Sequence, residues 1–458
     1  MPSHQGGGRV SGRSGDDGGV PYAYLAVTVV GALAVLLSYR PIRREPLTIV
    51  SFALASWTSE LALQNIVWQF IATALFIEFG ALNAWAGWLG LAIALASWVG
   101  LVGLGVSGLR AADVTAAALA EVRSDGFPVP TQPTPAVWGR WWRVTRAIPM
   151  KSRAVQVTHN VDYWGDGRPR HRLDVYRSRL VLREKAPVMV YVHGGGWVIG
   201  DKREQGKPMM FELVARGWVC VAINYRLSPK ATWPDHIVDV KRALAWVKEN
   251  VAEYGGDPGF IAISGGSAGG HLCALAALTA GDPSFQPGFE DADTSVQACV
   301  PFYGVMDLTS SPEGSAIFGP GLVQMLEKTV MKVKEADHPE VFRAASPTYR
   351  VHAGAPPFFV LQGENDTLVP VETARTFVQR LRAVSGSPVA YAELPLAQHA
   401  FDVVASLRCL ATTSAVGDFL EAARAARAAR AAPAPPRSPA MDVTATRNVS
   451  DIRSQPGI

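Results

Sequence analysis

From Trp85 to Leu109 the chain runs 25 residues without a charged side chain. A helix of that length is about 37 Å long, more than the hydrocarbon core of a bilayer requires. A soluble domain rarely buries a helix so uniformly apolar. The tryptophans at 85 and 88 suit a membrane interface, and the many Gly and Ala suit close helix packing. The charged fraction of the whole chain, 18%, fits a protein that is partly out of water.

Two further stretches extend this pattern. Residues 22–38 carry no charge, and 17 residues is near the lower limit for a span. A signal peptide is the rival reading, because Ala32-Leu33-Ala34 resembles a cleavage site. Its flanks are wrong, however. Arg9 and Arg13 are offset by Asp16 and Asp17, whereas Arg40, Arg43 and Arg44 follow the apolar run. Residues 47–79 read as one long span whose Gln64, Asn65 and Gln69 face other helices, with Glu60 and Glu78 near the interfaces. Three spans within residues 21–110 put the amino terminus outside. They put the basic segments at Arg40–Arg44 and after Arg110, with everything that follows, in the cytoplasm. A hairpin within 47–79 would reverse this.

Residues 1–20 and 426–458 are low in complexity and are expected to be disordered. Residues 111–150 read as a linker and interfacial segment. Within it Trp138, Trp141 and Trp142 alternate with Arg140, Arg143 and Arg146, a composition that fits the lipid headgroup layer and equally fits packing on the next domain. A net charge of +4 is too small to imply nucleic acid. Cys220, Cys273, Cys299 and Cys409 form no CxxC pair, so neither a zinc site nor a disulfide framework is expected.

Over 151–425 strand-like runs alternate with helical ones. Apolar runs at 155–159, 172–176, 188–193, 218–224, 260–264, 296–303, 357–362 and 389–394 predict a mostly parallel sheet with helices on both faces. The first two are close enough for an antiparallel hairpin at one edge. Residues 308–350 break the rhythm and are expected to cover the site.

The chemistry starts at Gly265-Gly266-Ser267-Ala268-Gly269. This is a G-x-S-x-G elbow with an apolar strand before it and a helix after it. A serine hydroxyl needs a base, and the base needs an orienting carboxylate. His399 follows the last strand, where the base belongs. His271 is too close to the elbow to swing back, and His338 and His352 lie in the irregular insertion. Asp366 is the preferred acid, Glu364 the reserve and Asp402 a weaker rival. Attack on a carbonyl puts charge on its oxygen, which backbone N–H groups can stabilise if no side chain intrudes. Gly194, Gly195 and Gly196, after the third strand, meet that need, and the Ala268 amide completes the set. His193 then braces the loop. A phosphate loop is the rival reading of the glycines, but no G-x-x-x-x-G-K-[ST] is present.

Together "HGGGW", "GGSAGG", "GENDTLVP" and "QHAF" resemble the hormone-sensitive-lipase-like α/β-hydrolases, in particular membrane-anchored bacterial carboxylesterases, over about residues 150–425. The resemblance implies an α/β-hydrolase fold and hydrolysis of carboxylic esters without a metal or organic cofactor. It also implies a Ser267–Asp366–His399 triad and an oxyanion hole of Gly195, Gly196 and Ala268. The acid motif departs from the aspartate-proline form common in that family and looks closer to formamidase and esterase branches. The expected substrate is a carboxylic ester, membrane-dispersed esters included, and the expected partner is the lipid bilayer. An amide hydrolase on the same triad and a non-catalytic binding protein on this fold are the alternatives.

Overall fold

A computed structural model describes residues 19–44, 46–132, 134, 152–309 and 320–431. The expectations for residues 1–18, for Trp138, Trp141 and Trp142 with their arginines, and for the tail beyond 431 lie outside these residues.

Four helices open the chain: α1 (Gly19–Tyr39), α2 (Leu47–Glu60), α3 (Ala62–Glu78) and α4 (Trp85–Ser124). α1 and α4 run in the same direction. Tyr22 packs edge-on against Trp85 at 6.1 Å between ring centroids, and the Tyr39 hydroxyl donates to the Gly100 carbonyl at 2.7 Å. α3 runs the other way, because the Tyr24 hydroxyl donates to Thr73 near its far end. Small residues permit the close α1–α4 approach: a Cβ at Gly90 would press on the Tyr24 ring.

Two expectations change here. The single span expected over 47–79 is bent by 92° between α2 and α3. Glu60 is buried at the bend in contact with Arg408 and Ser406. A straight helix would draw that carboxylate off its partners. Residues 111–124, expected in a linker, continue α4. Past Arg110, Ala111, Ala118, Leu119 and Val122 are buried in the core of the following domain.

That domain is built on eight strands: β1 (Val155–Asp162), β2 (Arg172–Ser178), β3 (Ala186–Val192), β4 (Val219–Ile223), β5 (Gly256–Gly266), β6 (Ala298–Phe302), β7 (Phe358–Gly363) and β8 (Val389–Leu394). Their order is β1-β2-β4-β3-β5-β6-β7-β8. β1 and β2 are antiparallel to their neighbours, and the other adjacent pairs are parallel. This is the α/β-hydrolase sheet, with the edge hairpin that the spacing of the first two runs predicts.

Every residue of β3 is buried, as a parallel strand covered on both faces must be. Its alternate side chains part cleanly. Val188, Val190 and Val192 join the core under α6 (Asp235–Asn250), α7 (Ala268–Leu278) and α10 (Val371–Val384). Met189 and Tyr191 join the core under α5 (Lys207–Ala215), α11 (Leu407–Ala431) and the end of α4. α11 reaches Ala431, further than the tail boundary expected at 426. Within the insertion, α8 (Pro320–Met325), a π-turn (Leu326–Met331) and α9 (Pro339–Ala345) are formed. Because β3 and β5–β8 are parallel, the loops that leave their carboxyl ends all gather at one edge of the sheet.

Candidate active site

Ser267 stands between β5 and α7 with φ 57° and ψ −123°. A non-glycine residue in this conformation is held at a cost of about 1–3 kcal/mol by its surroundings. Those surroundings are two backbone bonds. The Ser267 amide donates to the Phe302 carbonyl at 3.0 Å, and its own carbonyl accepts from His271 at 2.9 Å to begin the helix. Gly269 allows the turn, since a Cβ there would overlap the Val192 carbonyl. The Ser267 hydroxyl has no hydrogen-bond partner among the described residues, and catalytic hydrogen bonds often tighten only when substrate binds.

Asp366 and His399 are brought together by the loops after β7 and β8. His399 Nδ1–H donates to Asp366 Oδ2 at 2.7 Å, with both residues buried. The carboxylate is held on every side. Gln362 Nε2 also donates to Oδ2 at 3.0 Å, and the Leu368 and Val369 amides donate to Oδ1 at 2.9 and 2.8 Å. Gln398 ties the two loops together by accepting from the amides of Thr367 and His399. The bond through Nδ1 leaves Nε2 of His399 as the basic nitrogen.

The rival acids are elsewhere. Glu364 is exposed and accepts from the Leu396 amide. Asp402 is buried behind Tyr303, whose hydroxyl donates to Asp402 Oδ1, and burial pushes the Asp402 carboxyl up to about 6. Tyr303 borders both halves of the site. Its ring lies 4.5 Å from that of His399, and its hydroxyl lies 2.7 Å from where a Cβ of Gly266 would stand.

The remaining histidines are apart from this cluster. His271 points into the core, where Nε2 donates to the Ala345 carbonyl at 2.7 Å, and burial drives its pKa down to about 4. His338 lies beside Glu340, and His352 is exposed.

The glycine loop is shaped by His193. Its ring stacks on Tyr225 at 4.5 Å, and Nδ1–H donates to the Gly194 carbonyl at 2.8 Å. Burial lowers its pKa to about 4, so it is neutral. The Gly194 amide donates to Gln205 at 2.8 Å and is already satisfied. The amides of Gly195, Gly196 and Ala268 have no acceptor among the described residues. Gly195 has φ +117°, and a Cβ there would overlap the Ile199 carbonyl, so the position admits only glycine. Met325 of α8 lies over Gly196.

Several contributors escape sequence reasoning. Gln205, Gln362 and Tyr303 sit in no motif that marks them, and Gln398 carries only the signal of preceding His399. The opening helices also reach the site. Phe52 of α2 lies edge-on to His399 at 6.1 Å, and the Ser56 hydroxyl donates to the His399 carbonyl at 3.5 Å. Arg43 donates to the Glu364 carbonyl at 3.1 Å, and Asn365 donates to the Ser38 carbonyl at 2.9 Å. A cavity of about 260 Å³ between α4 and α11 shares no residue with these loops. Among the described residues, no group of three or more His, Cys, Asp or Glu is placed to hold a metal ion.

With this geometry in hand, the chain can be set beside known proteins. Residues 173–381 match the BD-FAE family. The chain is 44% identical to the probable carboxylic ester hydrolase LipM of Mycobacterium tuberculosis over 86% of its own length and 92% of that protein. It is 52% identical to esterase LipQ of the same organism, over 57% of its own length and 62% of that protein. Among solved structures, a truncated carbohydrate esterase from gut microbiota superposes with a TM-score of 0.52 at 23% identity, covering 61% of this chain and 99% of that one. This last likeness concerns the fold.

Proposed function

Since the chain belongs to the hormone-sensitive-lipase-like carboxylic ester hydrolases, we propose that it is a membrane-anchored esterase working through a serine acyl-enzyme. The observation that carries this reading is the Asp366–His399 hydrogen bond, joined through Tyr303 to the strained turn that carries Ser267.

Asp366 fixes the imidazole with its proton on Nδ1, so Nε2 takes the proton of Ser267 as the hydroxyl attacks the ester carbonyl. The carbonyl oxygen gains negative charge. The unpaired amides of Gly195, Gly196 and Ala268 receive it, and because they are set before the reaction they need not reorganise. His399 then returns the proton to the departing alcohol and leaves an acyl group on Ser267. A water activated by the same nitrogen repeats the sequence and releases the acid.

α1 and α4 are each long and apolar enough to cross a membrane, and α2 with α3 form a third, bent, apolar unit. The running directions of α1, α3 and α4 support three crossings, with the amino terminus opposite the catalytic domain. Arg40, Arg43, Arg44 and Arg110 then lie on the catalytic side, which the positive-inside rule assigns to the cytoplasm.

The test is labelling of the full-length protein by a fluorophosphonate, combined with hydrolysis of a matched ester and anilide. Label on Ser267, its loss in Ser267→Ala, and preference for the ester are expected. Ester hydrolysis that survives Ser267→Ala would refute the mechanism.

A further inference from the structure

α2 is patterned inside out. Its inward face is small and polar, with Thr48, Ser51, Ala55, Thr58 and Ser59 all buried. Its outward face carries Leu47, Ile49, Val50, Leu54 and Trp57, all exposed, with Ile49 at 63%. A helix on a water-soluble surface shows the reverse. The arrangement is favourable only if the outward face meets hydrocarbon. At 14 residues α2 is about 21 Å long, too short to cross, and it meets α3 at 92°. On the three-crossing reading above, with α3 carrying the second crossing, the 92° bend lays α2 along the membrane plane.

The inward side of this helix is docked on the segment that carries His399 and leads into α11. Phe52 and Ser56 touch His399, and Glu60 at its end contacts Ser406 and Arg408. On the glycine-loop side, Ile199, two residues past Trp197, is 68% exposed, and Met325 lies over Gly196. Apolar side chains thus lie beside His399 on one hand and beside the glycine loop on the other, and Phe52 belongs to the helix whose outward face is apolar.

We propose that α2 is the lipid-side wall of the catalytic cleft, and that the substrates are long-chain acyl esters resident in the bilayer, whose chains reach Ser267 past Phe52 without passing through water. This rests on the serine-esterase reading above and adds to it the substrate class and the route of entry.

Two measurements on the full chain in phosphatidylcholine vesicles test it. A nitroxide at Leu54→Cys reports immersion without reference to activity. Preferential relaxation by dissolved oxygen is expected, and preferential relaxation by a water-soluble nickel chelate overturns the proposal. The second measurement compares 4-methylumbelliferyl palmitate in the vesicles with the water-soluble acetate, in wild type and in Ile49→Lys/Leu54→Lys. The outward charges should lower palmitate turnover about tenfold or more and leave acetate turnover within about twofold. Equal rates on palmitate for variant and wild type overturn the proposal. So does an equal fall on both esters in protein that still takes the fluorophosphonate at the wild-type rate. Failure of the underlying mechanism is a separate result, because Ser267→Ala would then retain turnover of both esters.

Discussion

Glu60 of α2 and Arg408 of α11, 348 residues apart, form a buried ion pair between the opening helices and the hydrolase domain. Ser406 adds a hydrogen bond to the second carboxylate oxygen at 2.6 Å, and Arg408 also donates to the Pro395 carbonyl in the loop that leads to His399. Removing one partner strands the other charge. Glu60→Gln should cost about 3–5 kcal/mol, read as a fall in the urea midpoint in detergent micelles. Replacing both residues with apolar ones, Glu60→Leu with Arg408→Met, should recover most of that loss.

The hydrogen bonds around His399 separate the three candidate acids. Asp366→Asn should lower kcat by about 10³–10⁴-fold, because the amide can present its N–H to Nδ1 and favour the wrong tautomer. Glu364→Gln, whose side chain only accepts from a backbone amide, should stay within about threefold. Steady-state kinetics on a short-chain ester distinguishes them, and equal effects would remove Asp366 from its proposed role.

Gly195 is held at a φ open to glycine alone, against the Ile199 carbonyl. Gly195→Ala should displace an oxyanion donor and lower kcat by about 10²–10³-fold while KM changes little. The check is a kcat and KM comparison in protein whose near-ultraviolet circular dichroism matches wild type.

Stability should fall in mild acid. Burial holds His193, His236 and His271 at about 4 in the fold, below the value near 6.5 that each has in an unfolded chain. The unfolded chain therefore binds more protons between pH 6.5 and 4. The stability these groups contribute is full above 6.5 and is lost as the pH falls through that window. Asp402 acts in the opposite sense. Burial raises it to about 6, so its contribution is full below its unfolded value of 3.8 and is lost as the pH rises through 6. Three histidines outweigh one carboxyl, so the urea midpoint should drop from pH 7 to pH 4.5. His236→Gln should flatten that drop, and Asp402→Asn should raise the midpoint more at pH 8 than at pH 5.

Much of the fold could be read along the chain because its signals are local. Val188, Val190 and Val192 alternate with Met189 and Tyr191 because successive strand side chains point to opposite faces, and a sheet covered on both sides needs both sets apolar. Gly265–Gly269 announces its turn because the Val192 carbonyl leaves no room for a Cβ at 269. The uncharged run from Trp85 to Leu109 marks a helix long and apolar enough to cross a membrane. Relations between distant segments carry no such mark. Chain order favours Asp366 over Glu364 and Asp402 without showing its contacts, and only the fold brings the Gln362, Leu368 and Val369 donors and His399 onto that carboxylate. Nothing near residue 60 announces an arginine at 408, so the bend after α2 and the docking of Phe52 on His399 follow from which partners packing brings together. Short-range sterics and hydrophobic periodicity are written in neighbouring residues. The choice of partner for a buried polar group is made by the whole fold.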